Sequence, residues 1–314
     1  MLPSPSSRMP ILEDIQGFTL ARLTSDRCSV AVLPALGAKI VSLVDLRTKR
    51  EWMWRPPGPL RLWRNGEGVP FSDSTFVGAD ECLPTIEPCT WRGRELPDHG
   101  EVWSAEWTLD EDRLSDGVIH TSIQLPRSPF FFERSVTLNE SVICLDYRLI
   151  NTGSEPESWL WALHPLLSFE PDDRLDLPAE VRQMRVYLAK QPVFPPGTIL
   201  EWPEPAPGIN LHELRLAGDD AYLKSFAIPL HEGWACIANS RTADSLTFRW
   251  DLLANPCLGI WLTRGGFNGW HHPAIEPTNA STDCLADAAR RNAMPTLAPG
   301  ATKTWHVELL VGKE

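Results

Sequence analysis

The sequence predicts an all-β protein, built as a large antiparallel β-sandwich. Three observations support this prediction. Apolar and polar residues alternate with a period of two over most of the chain, which is typical of half-buried strands. The 314 residues include 29 prolines and 20 glycines, which divide the chain into many short elements. Convincing helix signals are confined to one segment.

The clearest predicted strand covers residues 141–151, and its apolar side chains share one face: Ile143, Leu145, Tyr147 and Leu149. The same alternation predicts strands over residues 245–251 and 303–311. Shorter stretches predict further strands over residues 29–33, 39–45, 130–138, 159–169, 233–238 and 258–263. Several of these are apolar on both faces, as expected where a sheet is covered on both sides.

The helix signals lie in residues 281–294. Ser281, Thr282 or Asp283 would cap the N-terminus of this helix, and Pro295 would stop it. Residues 180–190 fit either a helix or a strand. We expect residues 1–16 to form an N-terminal arm. Residues 17–314 predict a single β-sandwich domain, because no linker or run of charges divides them.

The charge balance limits the possible partners. The chain has 29 Lys and Arg residues against 41 Asp and Glu residues, which gives a net charge of −12. Such a negative field repels nucleic acids, anionic membranes and heavily phosphorylated partners. We therefore expect a neutral small molecule as the ligand, and the sequence predicts no particular oligomeric state.

The cysteines indicate the cellular compartment. The seven cysteines form no C-x-x-C pair, so neither a disulfide framework nor a zinc site is predicted. Reduced thiols that pack as small hydrophobic groups point to a reducing compartment. The N-terminal residues contain no apolar run of the kind found in secretory signals, and no stretch reaches the roughly 18 apolar residues of a membrane helix. The expectation is a soluble, cytoplasmic protein.

Three titratable residues stand out: His99, His164 and Glu276. Each lies among apolar or turn residues, where a titratable group needs a partner or a chemical role. Taken singly, each fits a hydrogen-bonded structural residue equally well. No Gly-rich phosphate loop, nucleophile elbow or H-E-x-x-H motif occurs, and the adjacent His271 and His272 would point to opposite faces of a strand. No cofactor or metal site is therefore predicted.

Short motifs follow one another along the chain in a fixed order. They are Leu-Gly-Ala-Lys-Ile-Val-Ser-Leu-Val-Asp at residues 36–45, Glu-Trp-Met-Trp at 51–54, His99-Gly100, His164, Glu276-Pro277 and Leu-Ala-Pro-Gly-Ala-Thr at 297–302. In this order and spacing, over residues 17–312, the chain resembles the aldose 1-epimerase (galactose mutarotase-like) superfamily. The resemblance implies that superfamily's β-supersandwich, with a carbohydrate cleft on the concave face of one sheet.

The resemblance also implies an activity, the interconversion of the α and β anomers of a free sugar. Glu276 would be the general base that removes the proton of the C1 hydroxyl group. His164 would be the acid that protonates the ring oxygen, and His99 would hold that oxygen. These residue types suit ring opening, because a carboxylate is ionised at neutral pH and an imidazole can gain or lose a proton there.

Five further residues are expected to bind the sugar. The better-known mutarotases of the superfamily carry an arginine upstream of the first histidine, where this chain has Asp80 and Glu81. These two acids are expected to accept hydrogen bonds from sugar hydroxyls, and the alternative for them is a solvated turn. Trp103, Trp270 and His271 lie beside the matched motifs and are expected to line the cleft, since a tryptophan face suits the C–H surface of a sugar.

Two alternative functions remain open at this point. A carbohydrate-binding protein without turnover would use the same fold, because a fold does not fix a function. A sugar-phosphate epimerase would need a cluster of cations, for which three arginines are candidates: Arg241, Arg249 and Arg264. The aspartate that would contact a distal sugar hydroxyl is also open among three: Asp219, Asp220 and Asp251.

Overall fold

Two large antiparallel sheets face each other across a hydrophobic core. The computed structural model describes residues 9–190, 194–216, 218–291 and 293–312. Within these residues nearly all regular structure is β, and the predicted fold class is confirmed. No helix in this part of the chain is long and apolar enough to cross a membrane.

The strands are numbered in chain order. The first half contributes β1 (Ile11–Ile15), β2 (Phe18–Thr24), β3 (Cys28–Leu33), β4 (Lys39–Asp45), β5 (Arg50–Glu51), β6 (Ala79–Cys82), β7 (Cys89–Trp91), β8 (Arg94–Leu96), β9 (Thr108–Asp110), β10 (Ile119–Gln124), β11 (Phe130–Asn139) and β12 (Val142–Asn151). The second half contributes β13 (Glu157–Ser158), β14 (Ala162–Pro165), β15 (Asp173–Asp176), β16 (Gln183–Lys190), β17 (Ile199–Glu201), β18 (Ala221–Ile228), β19 (Trp234–Asn239), β20 (Ser245–Trp250), β21 (Cys257–Phe267), β22 (Trp270–Thr278), β23 (Thr296–Leu297) and β24 (Thr302–Val311). Helical structure consists of α1 (Leu285–Arg290) and 3₁₀ turns at Phe71–Asp73 and Glu111–Asp116.

The larger of the two main sheets, called the large sheet below, has 12 strands in the order β1-β2-β3-β4-β6-β14-β22-β21-β18-β16-β17, with β5 beside β4. The eight-stranded sheet has the order β15-β19-β20-β24-β12-β11-β10-β9. Strands β13 and β23 form one small pair, and β7 and β8 form another. The centre of the large sheet therefore brings together segments that are far apart in the chain.

Side-chain alternation places the core between the sheets. In β11 of the eight-stranded sheet, every second side chain from Phe130 to Leu138 is buried. Leu163 of β14 and Ile275 of β22 belong to the same hydrophobic cluster and face it from the large sheet. Because successive residues of a strand point to opposite faces, the neighbours of Leu163 and Ile275 point to the outer face of the large sheet.

Most of the predicted strands occur, with shifts at their ends. Two segments differ from their predictions. Of residues 159–169, only Ala162–Pro165 form a strand. The arm predicted over residues 1–16 contains β1, which pairs with β2 along its whole length. That strand lies at an exposed edge of the large sheet, so it carries no hydrophobic pattern by which it could be predicted. Residues 1–8 lie outside the described residues, and the single domain over residues 17–314 stays a prediction.

The segment with helix signals is shorter than predicted. The helix covers Leu285–Arg290 rather than residues 281–294, and Cys284 occupies its N-cap. Asp283, one of the three candidate caps, instead lies with its carboxylate 3.5 Å from the ammonium group of Lys224. Residues 180–190, which fitted either element, contain β16, because Met184 and Val186 are buried in alternation with half-buried neighbours.

Candidate active site

A row of ionisable side chains crosses the outer face of the large sheet. It runs from Lys39 on β4 through Asp80 on β6, His164 on β14 and Glu276 on β22, and then across β21 to Lys224 on β18. All five are buried, the most exposed being His164 at 8%. Charged groups in such a position are costly unless they are paired or used chemically, so this row marks the candidate site.

Three of these five side chains, those of His164, Glu276 and Lys224, line a cavity of about 210 Å³. Its polar lining includes His99, His164, Lys224 and Glu276, and its apolar lining is mainly aromatic, from Phe71, Phe76, Trp261 and Phe267. The structure therefore brings His99, His164 and Glu276 together although they are widely separated in the sequence. The aromatic walls offer flat apolar surfaces against which the C–H faces of a sugar can pack.

Glu276 presents one free oxygen to this cavity. Its Oε2 accepts a hydrogen bond from the ammonium group of Lys224. Among the described residues its Oε1 has no hydrogen-bond partner, and it lies 3.8 Å from Nε2 of His164. That separation is too long for a direct hydrogen bond, so Oε1 remains available to accept a proton from a bound molecule.

Burial makes His164 a neutral imidazole. Desolvation, with smaller effects from the charges of His99 and Lys224, holds the pKa of His164 well below its ordinary value of 6.5. Its Nδ1 has no partner. The ring meets that of His99 edge-on, with the two centroids 5.0 Å apart. Both imidazoles can therefore contact one small molecule between them.

His99 is held by Asp98 and by an aromatic ring. The His99 Nδ1 lies 2.8 Å from Oδ1 of Asp98, and its ring stacks on Phe71 at a centroid distance of 3.9 Å. Burial alone would raise the pKa of Asp98, but the hydrogen bond and charge of His99 hold it below its usual range. Asp98 is thus ionised and Nδ1 of His99 carries a proton, which leaves Nε2 as the nitrogen free to reach a ligand.

A tight turn fixes the position of His99. His99 has a φ of 58° and the next residue, Gly100, a φ of 79°. A Cβ atom at Gly100 would lie only 2.2 Å from the carbonyl oxygen of Leu83. Only glycine fits such a close approach of two backbone segments, so the His-Gly pair of the sequence serves to place the imidazole.

The two acids predicted to bind the sugar lie elsewhere. Asp80 is paired with the buried ammonium group of Lys39 and does not line the cavity, although it is directly opposite His164 in the strand register. Burial raises the pKa of Asp80, and the charge of Lys39 opposes that rise. Asp80 therefore supports the strand that carries His164 rather than lining the space a sugar would occupy.

Glu81 points into the core, because it follows Asp80 in the same strand and so faces the opposite side. It accepts hydrogen bonds from Arg134 at 2.8 Å, from the hydroxyl of Tyr147 at 2.9 Å and from the indole of Trp161 at 2.8 Å. This fully buried carboxylate joins the two sheets. Its position is incompatible with the predicted contact to a sugar hydroxyl.

The other predicted contacts are also displaced from the cavity. Trp103 is buried and donates its indole N–H to the backbone oxygen of Asp98 at 2.8 Å, so it supports the turn that carries His99. Trp270 packs against Phe76 at a centroid distance of 4.3 Å without lining the cavity. His271 is exposed, and its neighbour His272 lines the cavity instead.

Three residues of the site were missed by sequence reasoning: Lys224, Asp283 and Asp98. A signal existed for Lys224, because it is the one charged residue in the otherwise apolar strand Ala221–Ile228. The sequence offers Asp283 only as one of three candidate helix caps, and it gives Asp98 no signal beyond its place next to His99.

A group of three or more His, Cys, Asp or Glu side chains suited to a metal ion is not found among the described residues.

The arginines considered for a sugar phosphate do not form a cluster. Arg241 lies 3.4 Å from Asp172, and Arg264 lies 3.6 Å from Asp219. Arg249 is on β20 in the other sheet. These arginines do not line the cavity. The three candidate aspartates, which are Asp219, Asp220 and Asp251, do not line it either.

Comparison with known proteins supports the fold. No protein-family model and no curated protein matches the chain. Among solved structures, a galactose mutarotase-like protein from Lactobacillus casei is 18% identical with a TM-score of 0.64, over 96% of this chain and 99% of that one. One from Clostridium acetobutylicum is 14% identical with a TM-score of 0.67, over 97% and 98%. A protein from Escherichia coli whose name suggests an aldose 1-epimerase is 17% identical with a TM-score of 0.67, over 95% and 100%. The chain therefore has the galactose mutarotase-like β-sandwich fold.

Proposed function

We propose that this protein is an isomerase of the aldose 1-epimerase kind, which interconverts the anomers of an uncharged free sugar. One observation carries the proposal: the unpartnered Oε1 of Glu276 faces Nε2 of His164 at 3.8 Å in a cavity that His99 also lines. A carboxylate oxygen and two imidazoles around one cavity are the groups that acid–base ring opening needs.

The proposed reaction moves one proton in each direction. Oε1 of Glu276 takes the proton of the C1 hydroxyl, and the electron pair of that O–H bond forms the carbonyl at C1. The bond between C1 and the ring oxygen breaks, and the ring oxygen receives a proton from an imidazole. The open-chain aldehyde rotates about the C1–C2 bond and closes on its other face, and both protons return.

We propose that the two imidazoles share the protonation of the ring oxygen. The resemblance gave the acid role to His164 and the holding of the ring oxygen to His99. Because burial lowers the pKa of His164, we give the donor role to His99, whose Nδ1 is hydrogen-bonded to Asp98. In our proposal His99 donates to the ring oxygen, and neutral His164 shares the hydrogen bond to that oxygen beside Glu276.

The charge of the cavity favours an uncharged sugar over a sugar phosphate. Four carboxylic acids line it, Glu87, Asp98, Glu276 and Asp283, against one lysine. A phosphate group would meet this excess of negative charge without an arginine to bind it. The extensive aromatic lining also favours a sugar with a sizeable apolar face, such as a deoxy sugar.

We also propose a reducing compartment such as the cytoplasm. All seven cysteines are free thiols, and three of them, Cys28, Cys82 and Cys284, are buried. Burial raises the pKa of Cys28 to about 11, so this thiol stays protonated and unreactive at neutral pH.

A carbohydrate-binding protein without turnover is the second candidate. It is favoured by the ion pair of Glu276 with Lys224, because a carboxylate held by a cation is a weaker base. In that case the same cavity would hold a sugar without opening its ring.

Anomer exchange measured by NMR on a panel of aldoses, a deoxy sugar and a sugar phosphate tests the proposal. We expect the protein to accelerate exchange of at least one uncharged sugar and not of the phosphate. Saturable changes in tryptophan fluorescence without acceleration would favour the binding protein. The absence of both effects across the panel would contradict a carbohydrate ligand.

A further inference from the structure

Lys224 is the least expected residue of the cavity. It is 4% exposed on β18, in the apolar sequence Ala-Tyr-Leu-Lys-Ser-Phe-Ala-Ile. A buried lysine destabilises a protein unless its charge is compensated nearby. Its place in the fold therefore calls for a reason beyond packing.

The ammonium group of Lys224 joins two carboxylates from different elements. It donates to Oε2 of Glu276 on β22 and lies 3.5 Å from Oδ2 of Asp283, in the segment that precedes α1. The intervening strand β21 carries Gly259 directly opposite Glu276. A Cβ atom at Gly259 would lie 3.3 Å from Cε of Lys224 and 3.4 Å from Cβ of Glu276, so glycine leaves the room in which the lysine reaches across.

The charges of this group depend on one another. Desolvation opposes the charge of Lys224, but Asp283 and Glu276 more than offset it and hold the pKa of the lysine above its ordinary value. Burial raises the pKa of Asp283, Lys224 lowers it, and Glu276 raises it further. One cation thus separates two carboxylates that would otherwise repel each other in a poorly solvated cavity.

Other titratable groups also face this cluster. From the neighbouring strands these are His164, His272, Asp80 and Cys82, and from the loops and β16 they are His99, Asp98, Glu87 and Tyr187. Among the described residues that face it, Lys224 is the one that donates a hydrogen bond to Glu276. Removal of its charge leaves no equivalent partner for that carboxylate.

We propose that Lys224 is a positioning residue of the epimerase site, which holds Oε2 of Glu276 by a hydrogen bond and so leaves Oε1 to take the proton of the substrate. The inference rests on the proposed function. Since Oε2 is engaged by Lys224, Oε1 is the oxygen of Glu276 that is left to accept a proton. Asp283 in turn anchors the lysine, so that its ammonium group cannot swing toward the substrate.

The test compares the pH profiles of kcat/KM for the parent and for Lys224→Met, which keeps the length of the side chain and removes the charge. We expect the acidic limb of the profile to move to higher pH by about 1–3 units, the effect typical of an opposite charge at this distance. Relative to the parent at the same pH, activity should be reduced strongly at pH 6 and should recover as the pH rises. Lys190→Met is the matched control, because Lys190 is a half-exposed lysine paired with Asp220 outside the cavity. Its profile should match that of the parent.

A second variant guards against a folding defect. Lys224→Gln keeps a hydrogen-bond donor for Oε2 and loses only the charge, so it should show the same movement of the acidic limb. The double variant Lys224→Met with Asp283→Asn removes the second carboxylate and should move the limb part of the way back. An equal loss of activity at every pH in the Lys224 variants would overturn the inference and leave the proposed function intact.

Infrared spectroscopy provides a reading that does not depend on turnover. At pH 7, Lys224→Met should show the C=O stretching band of a protonated carboxyl group that the parent lacks. This band should disappear when Glu276→Gln is added. Its absence, or its persistence in that double variant, would overturn the inference. If the band behaves as expected but the parent accelerates no sugar, then the proposed function fails and the ion-pair role of Lys224 stands.

Discussion

Replacement of His272 should make the protein less sensitive to acid. His272 is 1% exposed on β22, and neither of its ring nitrogens has a hydrogen-bond partner among the described residues. Its ring packs against Trp54 at a centroid distance of 4.7 Å and against Phe76 at 5.8 Å. Phenylalanine would keep these aromatic contacts and remove the titratable group.

The magnitude follows from the pKa of His272. Burial lowers the pKa of this imidazole from 6.5 to about 3 in the folded protein. Below pH 6.5 His272 therefore binds a proton in the unfolded chain but not in the folded protein. The stability contributed by the neutral ring is present above pH 6.5 and is lost as the pH falls toward 3. Between pH 7 and pH 5 this loss amounts to roughly 2 kcal/mol for one histidine.

Urea unfolding at pH 7 and pH 5 measures this effect. We expect the parent to lose about 2 kcal/mol more free energy of unfolding over this interval than His272→Phe does. His271→Phe is the control, because His271 is the exposed neighbour on the same strand, and it should lose as much as the parent. His164 adds a loss of the same sign to all three proteins, since burial also lowers its pKa, and it cancels in the comparison. Equal losses in the parent and in His272→Phe would refute the reasoning.

Three further predictions concern the site and its support. His164→Asn should slow anomer exchange by about 10²–10⁴-fold, and its combination with Glu276→Gln should be little worse than either change alone, because groups that act as a unit are not additive; NMR exchange rates of the three variants test this. Arg134→Met should cost about 3–5 kcal/mol in urea unfolding, since it leaves a fully buried carboxylate without its cation, and a cost below 1 kcal/mol would contradict that role. Gly100→Ala should lower the melting temperature and slow exchange together, because its Cβ would lie 2.2 Å from a backbone oxygen; parent-like values of both would show that the turn adapts.

The fold could be predicted because its signal is local. Period-two alternation appears wherever one face of a strand is buried, and β11 and β12 show it over their full length. The edge strand β1 could not be predicted because both its faces are largely exposed and it therefore shows no alternation. The helix is shorter than predicted because it begins after Asp283, one of its candidate caps, whose carboxylate lies beside Lys224 instead.

The site could be predicted only in part. The resemblance named His99, His164 and Glu276, and the strand order brings them to one cavity. It placed both Asp80 and Glu81 at the sugar, although neighbouring residues of one strand point to opposite faces of the sheet, and each is instead paired with a buried cation. Lys224 was missed because its partners come from distant parts of the chain, and no local pattern records such a pairing.

The exchange rate of Glu276→Gln tests the central claim most directly. On a sugar whose anomer exchange the parent accelerates, NMR should show this rate falling by about 10²–10⁴-fold in the variant. Tryptophan fluorescence should show that the variant still binds the sugar, because glutamine keeps the size of the side chain and most of its hydrogen bonds. Exchange within about threefold of the parent, with binding retained, would show that Glu276 is not the base.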